Sequence, residues 1–172
     1  SVVYAAYNQQ TEHFEIYELH LLTNETKMLT YDLGDLNAPE ISPDGKTILF
    51  TRYYLEVDKP TTWLMDRDGT NLRQVIGVRA WDPTWSPDGS AILFATVINN
   101  LSQLSIVNVD GTGLRQVGDF PFLRGRSDWS TQNLIVTYSG RRWERELYIM
   151  NSDGSGQQRI SPTGGNSQGP SF

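Results

Sequence analysis

One pattern near the end of the sequence is typical of a catalytic serine. Residues 165–169 read GNSQG and fit G-x-S-x-G, the nucleophile elbow of many hydrolases. That elbow needs a strand before the serine, a helix after it, and an acid and a histidine later in the chain. Only five residues follow Ser167, none of them acidic or histidine, and both histidines, His13 and His20, lie far upstream. We therefore interpret Ser167 as a loop residue and predict that the chain is not an enzyme.

The sequence contains few residue patterns that are typical of a metal or cofactor site. The chain contains no cysteine, which excludes disulfides and thiolate ligands. Residues 66–71, DRDGTN, resemble part of a calcium loop but lack the distal glutamate of an EF-hand. A turn between two strands explains the Asp-Gly pair equally well. We predict no metal site and no cofactor.

The composition bounds the class of protein and of partner. A chain of 172 residues fits one domain with a substantial buried core. The net charge of −6 argues against binding to nucleic acid that is driven by electrostatic attraction to its phosphates. No apolar run reaches the roughly 18 residues of a membrane span, so we predict none. The first ten residues, SVVYAAYNQQ, carry no signal-peptide pattern, and the sequence itself does not indicate a compartment.

The sequence repeats with a period of 43–44 residues, and this repeat predicts the architecture that must position any site. PEISPDGKTILFT (39–51) aligns without a gap with PTWSPDGSAILFA (83–95), and SDWSTQNLIVTY (127–138) is a third copy without the Pro-Asp-Gly turn. A period of this length without a helical pattern is typical of a β-propeller with four short strands per blade. The equivalent anchor positions are Ile41, Trp85, Trp129 and Phe172.

Local chemistry assigns the strands, which we name a, b, c and d within each repeat. Ser-Pro-Asp-Gly places Pro and Gly where a type I turn prefers them, so it joins strand a to strand b. Ile-Leu-Phe and Leu-Ile-Val-Thr-Tyr are β-branched and aromatic runs typical of strand b. The second half of a repeat, such as WLMDRDGTNLRQV (63–75), has an Asp-Gly turn that joins c to d. The sequence therefore predicts an all-β fold of four-stranded antiparallel blades.

These motifs resemble the TolB-type, WD-like propeller repeat, in which Trp-Ser-Pro-Asp-Gly precedes an apolar strand and a Met-Asp-x-Asp-Gly hairpin. Residues 85–89 (WSPDG) and 65–69 (MDRDG) match that repeat, and the resemblance covers essentially the whole chain. It implies a propeller fold and a scaffolding role in extracytoplasmic bacterial assemblies, periplasmic or secreted. The chain departs from the family in having only four repeats, because such propellers usually carry more blades.

We predict one propeller domain of four blades over residues 1–172. The chain opens on a strand b at Val2 and its residues 169–172 read as a strand a, so pairing of the two would close the first blade. The alternatives are half of an eight-bladed dimeric ring and a fragment of a longer propeller. The predicted blades are 1–30 with 169–172, 38–76, 82–118 and 126–161.

The loops of such a propeller divide between two faces. The a–b and c–d turns carry the Asp-Gly sequences that hairpins require, and we assign them no function. The b–c and d–a loops hold seven of the eleven arginines beside aromatic residues, the types enriched in binding hot spots. Alternatively, these aromatics pack under their own loops with arginines stacked on them. The predicted binding face comprises Arg52, Tyr53, Tyr54, Arg79, Trp81, Phe120, Phe122, Arg124, Arg126, Arg141, Arg142 and Trp143.

The central channel, which strands a line in a propeller, is a second candidate site. The residue before each anchor is polar, and strand alternation points it opposite to the anchor side chain. We predict that these residues face the axis, where we favour ordered water over a cation as the occupant. They are Glu40, Thr84, Asp128 and Ser171.

The function that we favour from the sequence is a non-catalytic binding or scaffold module whose loop face meets a protein partner. One alternative is an accessory propeller of a larger enzyme, such as a prolyl-oligopeptidase-like peptidase. Another is a propeller that binds carbohydrate or a different small ligand. We expect a monomer, with a homodimer as the alternative.

Overall fold

Antiparallel strands make up the regular structure, and the described part of the chain contains no helix. The described strands form four sheets, each built from consecutive strands. The all-β blade architecture predicted from the repeat is therefore confirmed. The structure, a computed structural model, describes residues 1–53, 59–99, 101–120, 123, 126–140 and 144–162.

The chain divides into two compact units, and the first of them (Ser1–Arg79) contains two sheets. The first sheet has three strands in the order β1-β2-β3, and the second has four in the order β4-β5-β6-β7. The strands are β1 (Val2–Asn8), β2 (His13–His20), β3 (Glu25–Met28), β4 (Asp35–Ile41), β5 (Thr47–Tyr53), β6 (Thr61–Asp66) and β7 (Arg73–Gln74).

The second unit (Ala80–Phe172) contains two four-stranded sheets, with the orders β8-β9-β10-β11 and β12-β13-β14-β15. Strands a, b, c and d of the repeat follow one another across each sheet. The strands are β8 (Ala80–Trp85), β9 (Ala91–Ile98), β10 (Leu101–Asn108), β11 (Arg115–Asp119), β12 (Asp128–Trp129), β13 (Leu134–Ser139), β14 (Glu146–Asn151) and β15 (Gln158–Arg159).

The Ser-Pro-Asp-Gly turns form as the sequence predicts, and their side chains explain why each residue is required. The Gly89 amide donates to the Ser86 carbonyl at 2.9 Å, and Gly89 has a φ of +72° that favours glycine. Asp88 Oδ1 accepts from the Ser86 hydroxyl at 2.7 Å and from the Ser90 amide at 3.0 Å. Ser86 Oγ in turn accepts the Ala91 amide at 2.9 Å, which starts the next strand. The turn is therefore closed by side chains as well as by backbone.

Strand a is longer than the repeat motif suggests, and it contains a bulge in two of the sheets. The register of β4 with β5 shifts between Asn37 and Glu40, and that of β8 with β9 shifts between Trp81 and Thr84. At these bulges Ala38 and Asp82 have φ values of +52° and +51°, and each precedes a proline. Positive φ is costly for residues other than glycine, so packing must hold these two positions in place.

Each unit has its own hydrophobic core between its two sheets. In unit 1 the core packs Ile16 of the first sheet against Ile48, Phe50 and Met65 of the second, all at most 1% exposed. In unit 2 a corresponding cluster includes Leu93, Leu104 and Ile106 of one sheet and Ile135 and Met150 of the other. Full burial of one such side chain contributes about 1.5–3 kcal/mol to stability. Face-to-face packing of sheets therefore dominates the stability of each unit.

The c–d turns pack against the neighbouring sheet, a role that the sequence alone did not indicate. A Cβ on Gly69 would lie 2.6 Å from the Leu29 carbonyl oxygen of the adjacent sheet, and one on Gly154 would collide with the Val117 carbonyl. Arg67, two residues before Gly69 in the same turn, donates to Glu18 at 2.7 Å. These glycines are required for close approach as well as for the turn itself.

The predicted closing strand, residues 169–172, lies outside the described residues. So does Ser167 with its G-x-S-x-G pattern. Among the described residues the first sheet therefore has three strands, whereas the other sheets have four. Closure of the first blade stays a prediction.

Candidate binding face

The predicted binding face lies where strand b passes to c and strand d passes to the next a. About half of its predicted residues fall in described parts of these loops: Arg52, Tyr53, Arg79, Trp81, Phe120 and Arg126. The remainder lie outside the described residues: Tyr54, Phe122, Arg124, Arg141, Arg142 and Trp143. The described members are placed in each unit separately.

In unit 1 an arginine stacks on an aromatic ring, as the alternative interpretation of this face predicts. The Arg52 guanidinium lies 5.1 Å from the centroid of the Trp63 ring. Trp63 is itself oriented by a hydrogen bond from its Nε1 to Thr61 Oγ1 at 2.9 Å. Arg52 and Tyr53 are half-buried, whereas Arg79 is exposed. Arg52 therefore supports its own sheet in addition to facing the loop region.

In unit 2 the bulge of strand a brings a carboxylate beside a tyrosine and arginines. Asp82 is partly buried, and that burial raises its pKa above the ordinary carboxyl value, while the charge of Arg126 acts in the opposite direction. Tyr138 on strand b is 8% exposed, and its pKa is raised by burial and by Asp82. The Arg145 guanidinium lies 5.3 Å from the Tyr138 ring centroid. The strained backbone and the desolvated acid are both features that concentrate at functional sites.

Phe120 belongs to the core and not to the exposed face. It is 1% exposed, packs in the hydrophobic cluster of unit 2, and meets the Tyr148 ring at 5.4 Å between centroids. Its ring also lies so close to Gly118 that a Cβ there would collide with it. Trp81 is half-buried against the same cluster. The aromatic residues of this loop therefore include structural supports that composition alone does not distinguish from contact residues.

A polar group continues this face along strand c of the last sheet. Glu146 Oε1 accepts from Arg159 at 2.7 Å, and Glu146 Oε2 accepts from the Tyr148 hydroxyl at 3.0 Å. Burial and the neighbouring Glu146 raise the pKa of Tyr148. The arrangement fixes the Tyr148 hydroxyl and one arginine at the start of the strand.

Sequence reasoning missed two sets of residues at this end of the sheets. One is Tyr138, which the repeat places on strand b but not in a site, whereas its neighbour Asp82 is among the acids that the sequence places on this face. The other is in the first sheet, where Tyr7, Phe14 and Tyr31 expose 55%, 41% and 59% of their surface. The first repeat lacks the Ser-Pro-Asp-Gly and Asp-Gly motifs that mark the loop ends in the other repeats.

The predicted channel residues occupy equivalent positions on three strands. Glu40 pairs with Leu49, Thr84 with Leu93 and Asp128 with Val136 in the registers of their sheets. Thr84 is 2% exposed, whereas Glu40 and Asp128 are half-buried. Ser171 lies outside the described residues. Within the described ranges no group of three or more His, Asp or Glu side chains could hold a metal ion. A role for these residues at an axis stays a prediction.

Blades of four antiparallel strands, repeated every 43–44 residues, define a β-propeller. In comparisons with known proteins, this propeller is similar to TolB proteins. The Tol-Pal system protein TolB of Anaeromyxobacter dehalogenans (strain 2CP-C) is 30% identical over 104 residues, which is 60% of this chain. The crystal structure of TolB from Acinetobacter baumannii has a TM-score of 0.78 at 20% identity and covers 95% of this chain.

The chain is similar to parts of longer proteins. It spans 24% of the length of that curated TolB and 41% of the Acinetobacter TolB chain. An uncharacterized peptidase of Bacillus subtilis (strain 168), YuxL, is 26% identical over 110 residues, which is 59% of this chain and 17% of the peptidase. No family model matches the chain. A helix long and apolar enough to cross a membrane is not found in the described part.

Proposed function

We propose that this propeller is a non-catalytic binding module that presents the b–c and d–a loop face to a protein partner. The observation that carries the proposal is the group formed by Asp82, Tyr138 and Arg145 in unit 2. Its carboxylate is desolvated, its backbone is strained, and a guanidinium is stacked on the tyrosine ring. Such a group is preorganised for contact with polar side chains of a partner.

The chemistry of this group supports binding and not turnover. A hydrolase or transferase would require a nucleophile beside a base, or a metal, within hydrogen-bonding reach. The three side chains supply an acid, a phenol and a cation that can bind a ligand without such a pair. Because these residues occupy a strand and the ends of loops on a sheet scaffold, their positions are defined before binding.

The proposal is tested by neutralising arginines on one face and comparing the bound partners. In the full-length parent protein, Arg124, Arg126, Arg141 and Arg142 are each replaced with Gln. The matched control replaces the same number of cations near the opposite turns: Lys27, Lys46, Arg73 and Arg115. Loss of a specific partner from the first variant alone supports the proposal. Identical partner sets and affinities for both variants and the wild type would overturn it.

The second candidate is an accessory propeller of a larger enzyme, and similarity to part of a peptidase favours it. A hydrolase domain encoded beside this segment in the full-length gene would decide for this candidate. A propeller that binds sugars is a third candidate, and a glycan array or thermal-shift screen would test it. The extracytoplasmic location implied by the TolB-type resemblance is part of the first proposal, and so is the monomeric state expected from closure of the ring within the chain.

A further inference from the structure

The net charge of the chain is concentrated in its first 40 residues, which run from the first sheet into strand β4. Residues 1–40 contain seven Asp or Glu and a single Lys, which accounts for the whole net charge of −6. Residues 41–172 contain thirteen acids and thirteen Lys or Arg. All eleven arginines lie in the second of these segments. The first 40 residues, which comprise the first sheet, the loop after it and most of β4, are therefore acidic, whereas the rest of the chain is neutral overall.

Two of these carboxylates have hydrogen-bond or ion-pair partners within the fold, so they are not available to bind a partner. Glu15 is fully buried, and it accepts the Thr30 hydroxyl and the Asp32 amide at 2.6 Å each. Glu18 accepts from Arg67 at 2.7 Å. The remaining acids at the b–c and d–a end of the sheet are Glu12, Asp32 and Asp35.

Three exposed aromatic residues occupy the same strand ends and loops as these acids. Tyr7 and Phe14 are opposite one another in the register of β1 and β2, with ring centroids 5.7 Å apart and planes inclined by 70°. Phe14 is tied to the acids because its amide donates to Asp35 Oδ1 at 3.1 Å. Tyr31 is adjacent in sequence to Asp32, whose side chain is 67% exposed. We name Tyr7, Phe14, Tyr31, Glu12, Asp32 and Asp35 the acidic aromatic patch.

Within the described part of the chain, no lysine or arginine forms an ion pair with Asp32 or Asp35. Among the described residues, the basic group near Asp32 and Asp35 is the His13 imidazole, at 3.9 Å and 3.7 Å respectively. Exposed tyrosine and phenylalanine faces attract cations, and nearby carboxylates add Coulomb attraction and hydrogen-bond acceptors. We propose that the acidic aromatic patch binds a basic segment of a partner protein through its Lys and Arg side chains. Charge complementarity selects this occupant. The patch lies at the same b–c and d–a end as the proposed function, since Asp35 pairs with Tyr53 in the sheet register, but it uses acids and not arginines.

The proposal is tested by titrating the ¹⁵N-labelled full chain with acetylated hexa-arginine and hexa-lysine peptides, with hexa-glutamate as the negative control. We expect amide shift changes clustered in residues 7–14 and 30–35, and no binding of hexa-glutamate. Raising NaCl from about 50 to 300 mM should weaken binding several-fold, because salt screens exposed charges. Shifts spread evenly over the surface would overturn the proposal.

Variants separate the patch from the general acidity of the chain. Asp32→Asn with Asp35→Asn, and separately Tyr31→Ser, should each weaken hexa-arginine binding by about fivefold or more. Asn at position 35 keeps an oxygen to accept the Phe14 amide, so the fold is retained, which thermal unfolding checks. The matched control, Glu25→Gln with Glu144→Gln, removes two exposed charges elsewhere and should have less than a twofold effect. Equal weakening by both pairs would contradict the proposal.

A second copy of the chain is the competing occupant, because its arginines could meet the acidic sheet. Light scattering without peptide distinguishes the two cases. If the Asp32→Asn, Asp35→Asn pair converts a dimer to a monomer, the patch is a self-association surface and the proposal is wrong. A mass that is the same for both proteins leaves the basic partner as the occupant. Neither result depends on the arginine substitutions that test the proposed function.

Discussion

At the residue scale, one carboxylate organises each complete Ser-Pro-Asp-Gly turn. Asp88 accepts hydrogen bonds from the Ser86 hydroxyl and from the amide and hydroxyl of Ser90, and these donors lower its pKa to about 2. The same pattern recurs at Asp44, whose pKa is lowered first by the Ser42 hydroxyl. Hydrogen bonds to the charged form therefore favour the ionised carboxylate in both of these exposed turns.

The first prediction concerns the pH dependence contributed by Asp88. Because its pKa is lower in the folded state than the ordinary 3.8, its contribution is present above that value and is lost as the pH falls towards 2. Asp88→Ala should cost about 1 kcal/mol at pH 7, the typical net value of such hydrogen bonds. Its free energy of unfolding should also depend less on pH below 4. Urea unfolding measures both, with exposed Glu144→Gln as control, and equal acid sensitivity of all three proteins would contradict the assignment.

The pKa shift of Asp82 is opposite in sign to that of Asp88, because burial raises the pKa of Asp82. A carboxyl with a raised folded-state pKa stabilises the fold most below its unfolded pKa and loses that contribution as the pH rises through the folded value. Asp82→Asn removes the desolvated charge and should raise the free energy of unfolding at pH 7. The difference from wild type should shrink at pH 3. A destabilised variant at pH 7 would show that the attraction of Arg126 outweighs desolvation.

At the element scale, the repeated turns were predicted well and the contacts between sheets were not. Ser86, Asp88 and Gly89 are residue types that favour a turn through local hydrogen bonds and backbone conformation, so the sequence alone predicts this hairpin. The bulges at Ala38 and Asp82 depend on packing that holds a positive φ before proline, which no local rule predicts. Phe120 was assigned to the binding face because composition cannot tell a supporting ring from an exposed one. Its burial is a property of the packed sheets.

The c–d turns offer a prediction at this scale with a matched control. Gly69 has a φ of +95°, and its added Cβ would lie 2.6 Å from the Leu29 carbonyl oxygen. Gly69→Ala should therefore cost more than about 2 kcal/mol, from both backbone strain and the displaced neighbouring sheet. Gly77→Ala meets no atom within 4 Å and should change stability by less than about 0.5 kcal/mol. Chemical denaturation compares the two, and similar losses would show that the close approach at Gly69 relaxes readily.

At the scale of the whole molecule, the edge of the first sheet is the open structural question. Among the described strands, β1 pairs with β2 on one side, whereas β5, β9 and β13 each pair on both sides. An unpaired strand edge favours association and is usually covered in stable propellers. We predict that residues 169–172 supply the missing strand a of this sheet. Light scattering over a dilution series should then give a monomer, whereas a stable dimer would favour the eight-bladed alternative.

Deleting residues 169–172 tests this closure directly. Hydrogen exchange should rise at least tenfold at those β1 amides that do not bond to β2, because they lose their partner strand. Exchange in β9, which lies in a complete sheet of unit 2, should stay within about threefold of wild type. Ser171→Ala keeps the backbone of the predicted strand and is the matched control, so its β1 amides should remain protected. If β1 exchanges equally in all three proteins, another segment or a second chain must cover this edge, and the predicted closure within the chain is wrong.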